Sequence, residues 1–212
     1  MAVITISRQY ASGGDEIAAK VSRKLGYALI DKEIISHVAG QVGLPQSELE
    51  KYDEKAENPI FRFLFRLFSS EKYITYIATG THFRRDKLPE FITSTIVELY
   101  QRGNLVIIGR GAQAILKDKP RTIHIRIVCP FEVRCRKLME LEGISLDKVA
   151  SKLKRIDKQR EGFLRQCFNI NPDDPSLYHL IINTAKVRED QAVDMITMLA
   201  RQTSLDPIDP RP

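Results

Sequence analysis

Two adjacent glycines, Gly13 and Gly14, separate an apolar run from an amphipathic segment in the stretch VITISRQYASGGDEIAAK. Adjacent glycines permit positive φ angles, and they let backbone N–H groups approach an anion closely. The start of the helix that is expected to follow adds a partial positive charge. This turn, which includes Ser12, is therefore suited to bind phosphate through its backbone. A tight strand-to-helix turn without a ligand is the alternative.

The turn departs from the Walker phosphate-binding pattern, G-x-x-x-x-G-K-[ST]. With Gly13 in the place of the second glycine, the first glycine falls on Arg8. The lysine then falls on Gly14 and the hydroxyl residue on Asp15. Asp15 and Glu16 suit the helix dipole, but they repel phosphate at close range. Arg8, which opens the turn, is the candidate to replace the missing lysine charge.

A second candidate phosphate ligand is Arg110, which stands between two glycines in NLVIIGRG (104–111). A guanidinium at the mouth of a buried strand reaches a cleft and suits bidentate contact with phosphate. A buried structural ion pair is the alternative interpretation. A Walker B motif would end this strand in aspartate, but the residue is Ile108. No protein carboxylate for Mg²⁺ is evident, so we expect phosphates and water to hold that ion.

Three further polar residues are candidates for contact with a substrate. Asp31 ends the short apolar run YALID (27–31), where it either accepts a hydrogen bond from a ribose or base or caps the next helix. Arg84 and Arg85, in HFRRDK, are either solvated charges or ligands of a substrate phosphate.

A basic segment extends over residues 134–166, with ten Lys or Arg residues against five acidic residues. Within it, RIDKQR places Arg155 and Arg160 on different faces of a helix, with Asp157 on the face of Arg160. The two arginines can flank one substrate only if the helix breaks or folds over it. A solvated basic face is the plainer interpretation. Nucleic-acid binding is disfavoured because no aromatic residues interleave with the charges in 144–162.

The candidate residues lie in segments that alternate between predicted strands and predicted helices. Short apolar strands separated by helices predict an α/β fold with a parallel five-stranded sheet that is covered by helices on both faces. Ligands of such sheets bind beyond the carboxyl ends of the strands, where Arg8, Asp31 and Arg110 stand. The strands are predicted near residues 3–7, 27–31, 105–109, 123–128 and 179–183.

The composition is that of one globular domain over residues 1–212, with 43% hydrophobic and 28% charged residues. The net charge of +6 favours acidic partners, and a small-molecule nucleotide, nucleic acid and an anionic membrane all fit the charge alone. The three cysteines form no CxxC pair, and their odd number argues against a disulfide framework and for a reducing compartment. The four histidines are scattered, which argues against a zinc site. No signal peptide or membrane span is evident, so we expect a cytoplasmic protein without a membrane partner. The proline-rich tail, 203–212, is expected to be loose.

The most apolar stretch is NPIFRFLFRLFSS, residues 58–70. A membrane-surface helix with Arg62 and Arg66 at its polar edge is one interpretation. A core or interface helix is favoured, because the stretch is short. The apolar helix 58–68 then packs either inside the chain or against a second copy in a homodimer.

Taken in order, these stretches resemble the cytidylate-kinase-like family, relatives of bacterial cytidylate kinase within the P-loop nucleoside monophosphate kinases. The resemblance covers most of residues 2–200, and its strength lies in the order and spacing of the segments. It implies a single kinase-like domain with a helical monophosphate-binding insertion at 33–93 and a helical lid at 144–175. The segments that carry it are ITISRQYASGGDEIAAKVSRKLGY, LIDKEII, LVIIGRGAQAIL, IRIVCPFEVRCRKLME, RIDKQR and YHLIINT.

The resemblance implies a phosphotransferase that moves the γ-phosphoryl group of ATP to a nucleoside monophosphate such as CMP, or to a related small acceptor. It places Arg110 near the acceptor monophosphate and Asp31 beside the acceptor nucleotide. Arg155, Asp157 and Arg160 match the lid motif, which closes over the transferring phosphoryl group. The residues expected to hold ATP are Arg8, Ser12, Gly13, Gly14, Asp15 and Glu16.

The chain departs from the family at the phosphate-binding turn. Cytidylate kinase itself has the lysine, and the cytidylate-kinase-like relatives typically read S-G-G-R-E where this chain has SGGDE. Ala11 also stands where those relatives commonly have glycine. Two interpretations stay open: an ATP-dependent nucleotide kinase, and a catalytically silent nucleotide-binding or regulatory module with a degenerate P-loop.

Overall fold

The computed structural model describes residues 2–31 and 88–205. Of these, residues 2–29 and 96–205 belong to one compact unit, and residues 30–31 and 88–95 belong to a second. Several sequence predictions lie outside the described residues. They are Arg84, Arg85, the apolar helix 58–68, the insertion 33–93 except for residues 88–93, and the tail beyond residue 205.

One parallel sheet contains the strands β1 (Val3–Arg8), β2 (Ala28–Ile30), β3 (Leu105–Ile108), β4 (Thr122–Val128) and β5 (Leu180–Asn183). Their order is β2-β3-β1-β4-β5, so β1 is the central strand. In register, Val3 of β1 lies opposite Leu105 of β3 and opposite Thr122 of β4. This sheet confirms the predicted α/β architecture. The strands form where apolar β-branched runs are buried, as a parallel sheet covered by helices requires.

The described helices are α1 (Gly14–Leu25), α2 (Leu88–Arg102), α3 (Ala112–Ile115), α4 (Phe131–Glu142), α5 (Leu146–Phe168) and α6 (Glu189–Leu205). Helix α1 ends at Gly26, whose φ of 67° is the left-handed conformation that glycine adopts readily. Helix α6 runs three residues into the expected tail, and Thr203 there is buried. In the described part of the chain, no helix is both long and apolar enough to cross a membrane.

The main core forms between the sheet and helices α1 and α6, which contact each other. Ile17 and Val21 of α1 and Ile196 of α6 are fully buried against the inner strands. These positions carry the apolar stripe that helical periodicity predicts for a core-facing helix. This core fixes the carboxyl ends of β1, β3 and β4 relative to one another, and the candidate site lies at those ends.

His124 is a buried histidine within β4, away from those strand ends. Its Nδ1 lies 2.8 Å from Thr5 Oγ1, and its backbone N–H donates to His179 Nδ1 at 3.0 Å. Burial, and to a smaller extent the nearby His179, lower the pKa of His124 from 6.5 to about 4. The folded protein therefore keeps this imidazole neutral at a pH where the unfolded chain protonates it.

We expect His124 to make folding less stable in mild acid. Below pH 6.5 the unfolded state binds a proton that the folded state does not accept until the pH approaches 4. The free energy of unfolding should therefore fall by about 2 kcal/mol between pH 7 and pH 5 from this group alone. Urea unfolding at both pH values should show a smaller decrease for His124→Gln than for the wild type. Equal decreases would show that His124 titrates normally.

Candidate active site

A cavity of about 290 Å³ lies where β1, β3 and β4 end. Its walls come from the turn after β1, the loop after β3, and helix α5. Arginine side chains line this cavity, and like charges at short range repel each other, the more so when partly buried. An anion bound between the arginines would relieve this repulsion, so the cavity is suited to a phosphate group. The arginines that line it are Arg8, Arg110, Arg126 and Arg160.

The side chain of Arg8 extends from the turn into the cavity across two glycines. A Cβ on Gly14 would lie 2.6 Å from the Arg8 Cβ, and a Cβ on Gly109 would lie 2.5 Å from Arg8 Nη1. Arg8 Nε donates to Asp15 Oδ1 at 3.0 Å, and Nη2 lies 2.9 Å from the same oxygen. The two departures from the Walker pattern are therefore coupled. With Arg8 in the place of the first glycine, position 14 has no room for a lysine side chain.

The loop after β3 presents Arg110 from an uncommon backbone conformation. Gly109, Arg110 and Gly111 have φ values of 71°, 55° and 73°. The left-handed conformation is readily adopted by the two glycines, but it costs energy at Arg110. Backbone strain of this kind is often found at functional sites. The Arg110 guanidinium lies 5.9 Å from the centroid of the Phe163 ring on α5. Burial, and secondarily the charge of Arg8, lower the pKa of Arg110.

Arg160 connects helix α5 to the turn after β1. Its Nη1 donates to the carbonyl oxygen of Arg8 at 3.0 Å, and its guanidinium carbon lies 5.5 Å from the centroid of the Tyr10 ring. Burial lowers the pKa of Arg160, and the charge of Arg8 lowers it further. Arg160 thus carries a partly desolvated charge at the junction of the turn and the cavity.

Arg155 is not brought into this cavity. Helix α5 is continuous from Leu146 to Phe168, so Arg155 and Arg160 stay on different faces, as the helical spacing predicts. Arg155 is exposed beside Lys148 and Lys152.

Asp157 borders the cavity, but both of its oxygens are already engaged. Oδ1 accepts the Tyr10 N–H at 3.1 Å, and Oδ2 accepts Arg134 Nη1 at 2.6 Å. Arg134, whose side chain is only 5% exposed, also donates to the carbonyl oxygens of Tyr10 and Cys129. Asp157 and Arg134 therefore clamp the turn between α4 and α5. Arg134 was not singled out from the sequence, because the run FEVRCRK has the pattern of an exposed basic helix face.

We expect Asp157→Ala to destabilise the fold by about 3 kcal/mol, because it leaves the buried Arg134 guanidinium without its carboxylate. The matched control is Glu161→Ala on the same helix. It removes an ion pair with Arg165 in which both side chains are at least 41% exposed. That pair should contribute less than about 1 kcal/mol. Urea unfolding of both variants compares them, and equal losses would contradict the clamp.

Arg126 is a second site residue that sequence reasoning missed. It is buried in β4, where Nη1 donates to Ser7 Oγ at 2.8 Å and Nη2 to Asp173 Oδ1 at 2.7 Å. Gln113 of α3 is also buried at the cavity wall. The sequence does contain a signal for Arg126, because TIHIRIV places this charged residue within a strand that is predicted to be buried.

The turn itself is held by side-chain hydrogen bonds to its backbone. Ser12 Oγ donates to the Gln9 carbonyl at 2.9 Å, and Thr184 Oγ1 donates to the Ser12 carbonyl at 2.8 Å. Gly13 precedes α1 with a φ of 82° and without a side-chain cap. The first N–H groups of a helix have no partners within it, so they are available to an anion. Asp15 and Glu16 are exposed in that first turn of α1.

Each carboxylate at the cavity is paired with an arginine. Asp31, which does not line the cavity, is half-buried directly after β2. Within residues 2–31 and 88–205, no group of three or more His, Cys, Asp or Glu residues is arranged to hold a metal ion. The carboxylate–arginine pairs are Asp157 with Arg134, Asp173 with Arg126 and Glu161 with Arg165.

Comparison with known proteins identifies the family. Cytidylate kinase from Methanococcus aeolicus is 26% identical over 186 residues, which are 86% of this chain and 88% of that protein. A structure of an uncharacterized protein from Eubacterium ventriosum covers 95% of this chain and 99% of its own, with a TM-score of 0.63 and 23% identity. A gluconokinase from Sinorhizobium meliloti covers 96% of both chains, with a TM-score of 0.50 and 12% identity, so both structures share the fold. The sequence model of the cytidylate kinase-like family matches residues 3–186, and this chain therefore belongs to that family.

Proposed function

We propose that this protein transfers the γ-phosphoryl group of ATP to a nucleoside monophosphate, with CMP as the leading acceptor. The observation that carries the proposal is the convergence of Arg8, Arg110 and Arg160 on one cavity beside a phosphate-binding turn. Membership of the cytidylate kinase-like family supports kinase chemistry, and the Methanococcus relative is a cytidylate kinase.

The donor phosphates bind at the turn in this proposal. Phosphoryl transfer requires positioning and neutralisation of charge more than covalent participation by the protein. The backbone N–H groups of Gly13 and Gly14 approach the phosphates at the start of α1, whereas the Ser12 N–H, which the sequence also suggested, donates to the Gln9 carbonyl at 3.4 Å. Arg8 supplies the charge that a lysine supplies in the Walker turn. Mg²⁺ enters with ATP and is held by phosphates and water, since the cavity carboxylates are engaged by arginines.

The acceptor occupies the cavity. Arg110 binds its phosphate, and Arg126, which is fixed by Ser7 and Asp173, adds a second charge at the cavity wall. Arg160, at the junction of the turn and the cavity, stabilises the transferring group as its charge develops. Asp31, Arg84 and Arg85 are proposed to contact the acceptor on the strength of the family resemblance.

Asp157 and Arg155 of the lid motif do not contact the transferring phosphoryl group in this mechanism. Asp157 keeps the turn in position through Tyr10 and Arg134 and moves no proton. Arg155 would reach the phosphoryl group only after a rearrangement of α5, so no step is assigned to it.

A coupled assay of ADP release tests the proposal across CMP, dCMP, UMP, AMP and GMP. We expect ADP release that depends on a monophosphate, with CMP or dCMP preferred. The rival is the silent nucleotide-binding module, and the Arg8–Asp15 ion pair favours it because it offsets part of the Arg8 charge. ATP binding without ADP release for any of the five acceptors would support the rival and contradict the proposal.

A further inference from the structure

The turn between β1 and α1, residues 9–13, is called the donor turn because the proposed function places the donor phosphates there. A lysine from a different helix approaches it. Lys137 lies on α4, and its Nζ is 3.8 Å from the position that a Cβ on Gly13 would take. Gly13 is the residue before α1, where the uncapped N–H groups of the helix begin. The cation of the turn itself, Arg8, extends towards Gly109 and is bonded to Asp15. Lys137 and Arg8 therefore bring positive charge to the turn from two different elements.

Helix α4 is firmly attached to the turn, which fixes where Lys137 can reach. Arg134, one helical turn before Lys137, donates to the Tyr10 carbonyl and pairs with Asp157. Cys135 and Leu138 of α4 belong to an apolar cluster against which Tyr10 and Ala11 pack.

Lys137 itself is exposed. Among the ion pairs formed between described residues, none involves it. No described acidic side chain therefore competes with an anionic ligand for its ammonium.

We propose that Lys137 is a ligand of the donor polyphosphate and adds, from α4, a lysine charge to the charge that Arg8 supplies. The inference rests on the proposed function and deepens its donor site. A lysine cannot stand at position 14, because its Cβ would lie 2.6 Å from the Arg8 Cβ. A lysine ammonium can therefore reach this turn only from another element, beside the charge that Arg8 supplies. An ammonium on a flexible stem can follow phosphate oxygens whose positions change during transfer.

Titration calorimetry with ATP and with ADP tests this proposal on wild type, Lys137→Ala and Lys137→Arg. Arg136→Ala is the matched control, since Arg136 is the exposed neighbour on the same helix. A charge-assisted hydrogen bond to phosphate contributes enough that Lys137→Ala should weaken ATP binding by about ten- to a hundredfold. Lys137→Arg should stay within about threefold of wild type because it keeps the charge. Arg136→Ala should bind ATP like wild type, and the KM for the acceptor should not change in Lys137→Ala.

Unchanged ATP affinity in Lys137→Ala would overturn the proposal, even in a protein that transfers phosphoryl groups normally. Equal losses in Lys137→Ala and Arg136→Ala would also overturn it, because they would indicate only a general surface-charge effect. A wild type that binds ATP but transfers nothing refutes the proposed function alone, because the Lys137 comparison measures binding. A wild type that does not bind ATP overturns both.

Discussion

Arg160→Ala is expected to lower kcat for phosphoryl transfer by about a thousandfold, the lower end of what an arginine contributes at a transferring phosphoryl group. The guanidinium lies at the junction of the donor turn and the cavity, where it donates to the Arg8 carbonyl at 3.0 Å. Its charge is partly desolvated there, so its interaction with charge that develops in the transition state is strong. The KM values should change much less than kcat, because the contact strengthens mainly in the transition state.

Steady-state kinetics of Arg160→Ala should be measured beside Lys158→Ala, which removes an exposed charge two residues away on the same helix. The Lys158 variant should retain wild-type activity. Arg160→Lys should recover only part of the loss, since lysine keeps the charge but not the planar fork. A kcat for Arg160→Ala equal to that of wild type would remove Arg160 from the mechanism. Thermal unfolding of all three variants establishes that the fold is retained.

Arg8→Ala is expected to reduce kcat/KM for ATP by about a hundredfold, which corresponds to about 2.7 kcal/mol of transition-state stabilisation. Arg8 contacts Asp15 directly, and its charge lowers the pKa of both Arg110 and Arg160. Its removal also leaves Asp15 at the start of α1 without its counter-ion, so the turn becomes more repulsive to phosphate. Calorimetry should accordingly show weaker ATP binding together with slower turnover.

The double variant Arg8→Gly with Gly14→Lys restores the first glycine and the lysine of the Walker pattern, with Asp15 still in the place of the hydroxyl residue. The clash of a side chain at position 14 is with the Arg8 Cβ and Cγ, so removal of Arg8 opens that space. The double variant should bind ATP more tightly than Arg8→Ala. ATP affinity unchanged in Arg8→Ala would mean that the turn works through its backbone alone, or that it does not bind the donor.

The sheet could be predicted from the sequence because its strands are short runs rich in apolar residues and bounded by turn residues. Val3–Ile6 and Leu105–Ile108 are examples, and both are buried throughout. Burial of such a run needs helices on the sheet, and the helical spacing of Ile17 and Val21 provides that cover. Fold and element order therefore follow from local pattern.

The contacts of the candidate site do not follow from local pattern. The helical spacing of Asp157 and Arg160 predicts a shared face, and both line the cavity. The partners of Asp157, Arg134 and Tyr10, lie 23 and 147 positions away in the chain, and no periodicity specifies such pairs. Sequence pattern does not single out Lys137 for a related reason, since a lysine in a basic helix ordinarily belongs to a solvated face.

Transfer itself is tested most directly by ATP that carries a label in its γ-phosphoryl group, incubated with the wild-type protein and CMP. We expect the label to appear in CDP, in an amount equal to the ADP formed, and the rate to fall by about a thousandfold in Arg160→Ala. Label that remains in ATP, or that is released only as inorganic phosphate, with CMP and with each of dCMP, UMP, AMP and GMP would contradict phosphoryl transfer to a nucleoside monophosphate.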